Sequence, residues 1–543
     1  MRAFFRPRNA ISDAPSAVPL ALLYPVFFSA VYLSHLTLLR LPYFWDEGGY
    51  YIPAAWDFFR TGTLIPVTTV TNAHPPLPSI MLAGWWHLSG FVPSGTRTFI
   101  CMIAAVALLA VYRIARNLLD TKAAFATTVL TGLYPVWFAQ STLAHADIFA
   151  AAFTLWGLSF YLESIADTRL DSERGGSIRP KLYTAVFFSL AALSKETAIV
   201  TPAALAAWEA FLLLRERNLP GMRRSHAGWL AALMAPVLPL CCWYAYHFHR
   251  TGFVFGNPEY LRYNATANLD AYRILLCLYH RLLHLAMHMN MFVPVLCAVA
   301  MLWLPAITTR PRLARPVLNA IAVVLLANWI AFSVLGGALL TRYLLPMYPL
   351  ILLVCVAVWL RRLRAWYWIA ALSAIAFLCG IWINPPYAFA PEDNLTYRDM
   401  IVLHQRAVEL IAQRWPRATV LTAWPAVSEL ERPELGYTTF PIQAIAIQNF
   451  SREQIDAATA MENASPSQSA FDTALIFSTK WAPPSDTISL ARGNSAADAR
   501  YFDFHQDLLP DQAAALLHGE VVWQGAIRSE WVAVLRIPDK KQR

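Results

Sequence analysis

Residues 17–51 read AVPLALLYPVFFSAVYLSHLTLLRLPYFWDEGGYY. An apolar run about as long as the ~20 residues needed to cross the hydrocarbon of a bilayer runs out onto two adjacent carboxylates, Asp46 and Glu47, in an aromatic surround. The run has no convincing cleavage site, so it reads as a membrane helix and not as a removed signal. Adjacent acids at a membrane boundary are unfavourable unless solvated, paired or used. On position alone they read equally well as markers of a helix end.

The rest of the chain agrees with the bilayer as solvent. Of 543 residues, 57% are hydrophobic and only 14% charged, with a mean hydropathy of +0.42. A soluble chain of this length needs far more charge to cover its surface. The 20 Trp suit a protein with two interfaces to anchor. A net charge of +9 raises nucleic acid as a partner, but the basic residues fall in short runs between apolar segments, where orientation signals belong. Nucleic acid is excluded on that ground. The seven Cys lie in or beside apolar segments without CxxC spacing, which excludes a disulfide framework and a Cys-based metal site.

Apolar segments of spanning character occupy 17–38, 97–118, 122–140, 144–163, 182–198, 199–214, 227–247, 286–306, 316–336, 341–360 and 366–383, about eleven in all. The pair 182–214 is interrupted by Lys195 and Glu196 and reads as two short helices meeting at the outer face. Basic clusters alternate with the spans. They comprise Arg2, Arg6 and Arg8; Arg113, Arg116 and Lys122; Arg169, Arg174, Arg179 and Lys181; Arg215, Arg217, Arg223 and Arg224; Arg310, Arg312 and Arg315; and Arg361, Arg362 and Arg364. Their shared side is the cytoplasmic one. The N-terminus then lies inside, and the loop 39–96, the loop 248–285 and the tail 384–543 lie outside.

The expected fold class is mainly α: a polytopic transmembrane helical bundle over 1–383, followed by an extracytoplasmic α/β domain over 384–543. In that tail, strand-like stretches at 418–423, 474–478, 521–523 and 531–537 alternate with helical patterns at 397–414 and 510–518. Loop 39–96 is too apolar to be solvated and too interrupted to span. Segments 50–60 and 77–88 read as amphipathic interfacial helices anchored by Trp56, Phe58, Trp85 and Trp86.

A span followed by Asp46-Glu47, an aromatic segment, an intervening Gly and then HPPL at 74–77 resembles the GT-C fold glycosyltransferases, closest to the branch of protein O-mannosyltransferases and lipid A aminoarabinose transferases. The resemblance extends, in order and on one side, through AHADIF (144–149), LSKET (193–197) and TRYLLPMYP (341–349), and covers roughly 17–360. At 74–77 the chain follows the mannosyltransferases; the aminoarabinose enzymes more often show Lys-Pro-Pro there.

The resemblance implies transfer of a hexosyl or pentosyl unit from a polyprenyl-phosphate-linked donor to a hydroxyl of a lipid, glycan or protein, at the outer leaflet of an inner membrane, with inversion. It implies Asp46 as general base, Glu47 as support for a metal or the acceptor, and Asp147 as the second acid. His74, Lys195, Glu196, Arg342 and Tyr343 are the implied substrate-binding residues. Lys195 and Arg342 are cations for the leaving phosphate, although each reads equally as a side chain snorkelling to the interface. Glu196 also reads as a simple partner of a neighbouring cation. A divalent metal stays open. His280, His284 and His288 stand at helical spacing, which suits either two metal ligands or a polar stripe. Arg262, Arg273 and Arg281 suit a phosphate or anionic headgroups. The competing reading is a transporter or lipid-handling protein, which predicts mid-depth ionisable residues and repeated halves.

Overall fold

A computed structural model describes residues 19–71, 73–166, 178–215, 220–258, 269–335, 339–464, 470–478, 495–502, 505–528 and 530–538. Arg2, Arg6, Arg8, Arg169, Arg174, Arg217 and Arg262 lie outside the described residues.

All eleven apolar segments are helical, but they are not eleven equal rods. Among the described residues five helices are long and apolar enough to cross a membrane: Pro93–Leu118, Ala146–Ala166, Glu196–Arg215, Met222–Thr251 and Arg315–Val334. The others are shortened or broken for local reasons. Leu20–Ser34 stops where the His35 ring takes the Val31 carbonyl at 2.7 Å. The segment 122–140 divides into Thr121–Leu133 and Pro135–Gln140, because the residue before a proline is pushed out of the α region and Tyr134 is extended. The expected straight span 286–306 is corrected to a bent pair. Ala271–Asn290 and Phe292–Met301 meet at 98°, with Met289 and Asn290 both at positive φ and the Asn290 amide donating to the Ala376 carbonyl at 2.7 Å.

The bundle is built around Pro93–Leu118 and Ala146–Ala166, which pack on each other; Ala146–Ala166 also packs on Ile178–Ser194. At the second contact a Cβ on Gly157 would stand 3.0 Å from the Phe188 ring, so a residue without a side chain is needed for the helices to close. Peripheral helices turn large apolar side chains outward, such as Leu214 at 74% exposure and Leu238 at 72%. That arrangement requires lipid and not water as the surrounding solvent. Helices Ile52–Thr61 and Leu77–Ser89 occupy the places expected for the two amphipathic segments. Trp86, however, is not an interfacial anchor. It is 1% exposed, packed on Phe91, with its indole N–H donating to the Thr96 hydroxyl at 2.8 Å.

Beyond Tyr367–Trp382 the chain forms a short turn at Pro391–Asp393, the helix Thr396–Arg414, and a five-stranded sheet. Strands β1 (Thr419–Ala423), β2 (Gln443–Ile447), β3 (Thr473–Phe477), β4 (Glu520–Ile527) and β5 (Glu530–Arg536) lie in the order β2-β1-β3-β5-β4. β1 pairs in parallel with β2 and β3, and β5 runs antiparallel to β3 and β4. Every residue of central β3 is buried, as a strand covered on both faces requires. Met400, Leu403, Ala407 and Ile411 form the buried stripe of Thr396–Arg414, which packs on β4 and β5. The four expected strand regions are present, and β2 is an additional strand. The core of this layer is continuous with that of the bundle, and a boundary at residue 383 places Pro391–Asp393 outside a bundle into which its acids reach.

Candidate functional site

Arg342 is the hub. It sits on the short 3-10 turn Thr341–Leu344, closed by Pro346, and is 3% exposed. A buried guanidinium must be paired, because losing its water carries a penalty of several kcal/mol. Three carboxylates from distant parts of the chain meet it. Asp46 accepts from Nη2 and Glu392 from Nη1, while Asp147 Oδ2 stands 3.4 Å from Nε. Asp147 also takes Lys195 Nζ on Oδ1 at 2.7 Å, and that ammonium lies 4.0 Å from the centroid of the Tyr343 ring, a cation–π contact. Asp46, Asp147, Lys195, Arg342 and Tyr343 are therefore one cluster.

The local backbone explains the positions. Asp147 opens Ala146–Ala166, where the helix dipole favours an anion. Lys195 is extended, φ −152 and ψ 126, at the break between Ile178–Ser194 and Glu196–Ile199, so the meeting of two helices at this point is as expected. Of the cluster's acids, Asp46 is the open one: its side chain is 19% exposed, against 3% for Asp147 and 5% for Glu392.

Glu47 has a different environment. It is 0% exposed. Its carboxylate accepts from Arg97 Nη2 at 3.1 Å, from the Phe44 amide at 2.8 Å and from the Ala144 amide at 2.6 Å. Arg97 in turn donates to the carbonyls of Leu41, Pro42 and Thr142. Glu47, expected as a catalytic acid or a support for a metal or the acceptor, is thus enclosed by donors from the protein itself. With its oxygens filled by donors, it ties residues 41–47 to 142–144 and so brings Asp46 and Asp147 together.

His74 and Glu196 form a second pair, Nδ1 to Oε2 at 2.7 Å, next to Lys195 in the chain. The Tyr51 ring stacks on His74 at 5.9 Å. Glu196 thus has the His74 ring as its partner. The α-helix carrying His280 and His284 ends at Ala286 and His288 opens the 3-10 turn that follows, with the His284 and His288 rings 5.4 Å apart. His288 Nε2 pairs with Asp393 at 3.0 Å, and Asp393 in turn accepts from the Thr341 hydroxyl beside Arg342. His288 therefore supports the turn beside the hub. Arg281 donates to the Leu340 carbonyl at 2.6 Å and lies 5.7 Å from the Tyr343 ring centroid.

The three converging carboxylates surround a guanidinium, and among the described residues no group of three or more His, Cys, Asp or Glu is placed to hold a metal. The donor set does not fit a metal, and no step is assigned to one.

One space opens at the cluster and a second lies nearby in the chain. One, a narrow space of about 20 Å³, has Asp147, Lys195, Arg342 and Tyr343 among its lining and descends along Ala151, Thr154, Thr201 and Asn328. The other is an apolar groove lined by Leu64, Pro76, Leu193, Leu238, Pro239, Cys242, Trp243 and Tyr246, between the residues that follow His74 and those that precede Lys195.

Glu392, Asp393 and Arg97 escaped the sequence reading. An adjacent acidic pair just past an apolar segment was the signal that singled out Asp46 and Glu47, and Glu392-Asp393 repeats it after 366–383. Arg97 was a lone charge at the edge of an apolar span, a sign of a paired group. Burial, reinforced by the neighbouring carboxylates of Asp46, Asp393 and Asp147 and opposed by Arg342, pushes the Glu392 carboxyl up to about 8.

Residues 73–243 match the family model described as dolichyl-phosphate-mannose-protein mannosyltransferase. No curated protein matches this sequence. Among solved structures, ArnT from Cupriavidus metallidurans in the apo state aligns at 14% identity over 95% of this chain and 98% of that one, with a TM-score of 0.55. The same protein bound to undecaprenyl phosphate aligns at 14% identity, 96% and 98% coverage, and TM-score 0.53. The Archaeoglobus fulgidus oligosaccharyltransferase covers 84% of this chain and 68% of its own at 11% identity, with a TM-score of 0.48. The folded course of the whole chain, its apolar helices and the match over 73–243 agree on one description: this is a multi-pass membrane protein of GT-C fold, similar to the mannosyl- and aminoarabinose transferases.

Proposed function

We propose that the protein moves a monosaccharide from a polyprenyl-phosphate donor to a hydroxyl of a lipid, envelope glycan or protein, with Asp46 as general base. The observation that carries this reading is the convergence of Asp46, Asp147, Lys195 and Arg342 at the head of one cavity, with Asp46 the most open acid. The names of its relatives support the donor class: the matching family model is named for a dolichyl-phosphate-linked mannose, and the ArnT structure holds undecaprenyl phosphate.

In the proposed step the acceptor oxygen attacks the anomeric carbon from the face opposite the phosphate. The carbon–oxygen bond to phosphate breaks, its electron pair leaves with the polyprenyl phosphate, and the hydroxyl proton passes to Asp46. The configuration inverts. A positioned base of this kind contributes ~10²–10⁴ in rate. Arg342 orients Asp46 through their ion pair, and Arg342 and Lys195 meet the charge that grows on the phosphate; preset cations do this without reorganising solvent. Glu392, protonated below about pH 8, leaves Asp46 and Asp147 to balance Arg342 and Lys195, so no third negative charge opposes the phosphate.

The base and the donor phosphate must meet at headgroup level, because a lipid-anchored phosphate presents its sugar only there. On this reading the site lies at the outer leaflet of an inner membrane, with the α/β layer on the extracytoplasmic side. Mass spectrometry of envelope glycolipids and glycoproteins from cells with and without the protein tests the reading. A missing hexose- or pentose-sized unit is expected, and identical profiles would overturn it.

A further inference from the structure

We infer that Trp424 and Tyr437, in the α/β layer, are positioning residues that hold the loop carrying Asp46 in register with Arg342; the inference rests on the proposed role of Asp46. The loop does not hold its own shape. Trp45 sits at φ 44, unfavourable for a bulky side chain unless its surroundings enforce it. Residues Glu47–Tyr51 form a π-helical turn, a geometry seen chiefly at functional sites.

The enforcement comes from residues 424–437. The Trp424 indole stands edge-on to Trp45 at 5.1 Å and tilted against Tyr50 at 6.0 Å, so it is wedged between the two rings that flank Asp46. Tyr437 donates its hydroxyl to the Tyr43 carbonyl at 3.1 Å, and the Tyr43 amide donates to the Leu435 carbonyl at 3.1 Å. Arg432 donates to the Thr68 carbonyl, and Thr69 donates to the Gly49 carbonyl at 2.6 Å.

The two glycines after Asp46-Glu47 record this docking. A Cβ on Gly49 would stand 2.8 Å from the Trp424 indole, and one on Gly48 3.3 Å from Leu435. Their absent side chains make room for the α/β layer and not for substrate. Asp46 is therefore pinned from two directions: Glu47 and Arg97 tie its loop to the bundle, and residues 424–437 press it from above. The second contact uses neutral rings and single hydrogen bonds, so it tunes position more than it sustains the fold.

The test uses the full chain in membranes. In Trp424→Ala, hydrogen exchange of the amides at 43–51 is expected to rise at least about tenfold, with exchange in Pro93–Leu118 unchanged. A misplacement on the order of 1 Å lowers rate by up to ~10², so kcat should fall about 10- to 100-fold while KM for the lipid-linked donor stays within about threefold. Trp424→Phe, which keeps an aromatic wedge, should restore both. Tyr437→Phe gives the same pattern, more weakly, and serves if Trp424→Ala does not accumulate. Unchanged exchange at 43–51, or raised exchange with unchanged kcat, overturns the inference. Raised exchange in a protein whose unsubstituted form transfers no sugar keeps the loop clamp and removes the glycosyl-transfer reading instead.

Discussion

Arg342 and Arg97 are both buried guanidiniums, 3% and 0% exposed, and each is met by an acid from the same dipeptide, Asp46 or Glu47. Around Arg97 every partner is a backbone group or Glu47, and no open space adjoins it among the spaces described. Around Arg342 the partners are side chains from three other stretches, one acid is open, and a cavity begins. The two hubs differ in what a substrate can displace. Backbone carbonyls cannot leave Arg97, whereas the carboxylates on Arg342 and Lys195 are side chains that, in the proposed reaction, re-partner around the phosphate. Neighbouring residues in a helical turn point about 100° apart, and here that rotation separates the partly open carboxylate of Asp46 from the fully buried one of Glu47.

The sharpest way to break this comparison is to disturb one charge at each hub. Asp46→Asn should lower sugar transfer by ~10²–10⁴ while the protein accumulates normally in the membrane. Normal transfer by that variant would remove the assignment of the base. Arg97→Met leaves Glu47 buried and unpaired, a loss of about 3–5 kcal/mol. Melting in detergent and membrane abundance should both drop, and Glu47→Gln made in the same chain should recover part of the loss. If Arg97→Met instead melts normally and loses only activity, the two hubs are not different in kind.

Lys195→Met removes a charge-assisted contact of about 1.5–3 kcal/mol. The donor KM should rise roughly 10- to 100-fold, more than kcat falls; an unchanged KM would detach Lys195 from the phosphate. The smallest effect concerns pH. Glu392 keeps its proton to about pH 8 in the folded protein, against an ordinary value of 4.5. The folded state therefore binds a proton that the unfolded chain has released, and its stability falls as pH rises from about 4.5 to 8. Above about 8 a third carboxylate is charged beside the phosphate site, and transfer should fall by about three- to tenfold. Glu392→Gln should flatten that alkaline limb in kcat/KM and in Tm, and an unchanged limb would assign it to another group.

Much of this was legible in the chain. The helical segments were, because apolar runs act over a few residues, although the break at Pro135 inside 122–140 was not. Asp46, Asp147, Lys195 and Arg342 were singled out as charges at the ends of apolar segments that also fall in the motifs resembling the GT-C enzymes. The role of Glu47 was not legible, since a used acid and a tying acid look alike until the donors around them are counted. Glu392 was passed over because it stands among residues read as a separate outer domain, although its side chain belongs to the site. The 98° bend was hidden as well, since HRLLHLAMHMN keeps its helical spacing through a turn that only packing on residue 376 reveals.

By itself the sequence determined the solvent, the helical segments and the charges left at their ends, for hydropathy and proline geometry are local properties. Which acid meets which cation was decided by the tertiary structure alone. Asp46 and Arg342 are 296 positions apart, and burial obliges each charge to find whatever opposite charge the packed helices bring within reach.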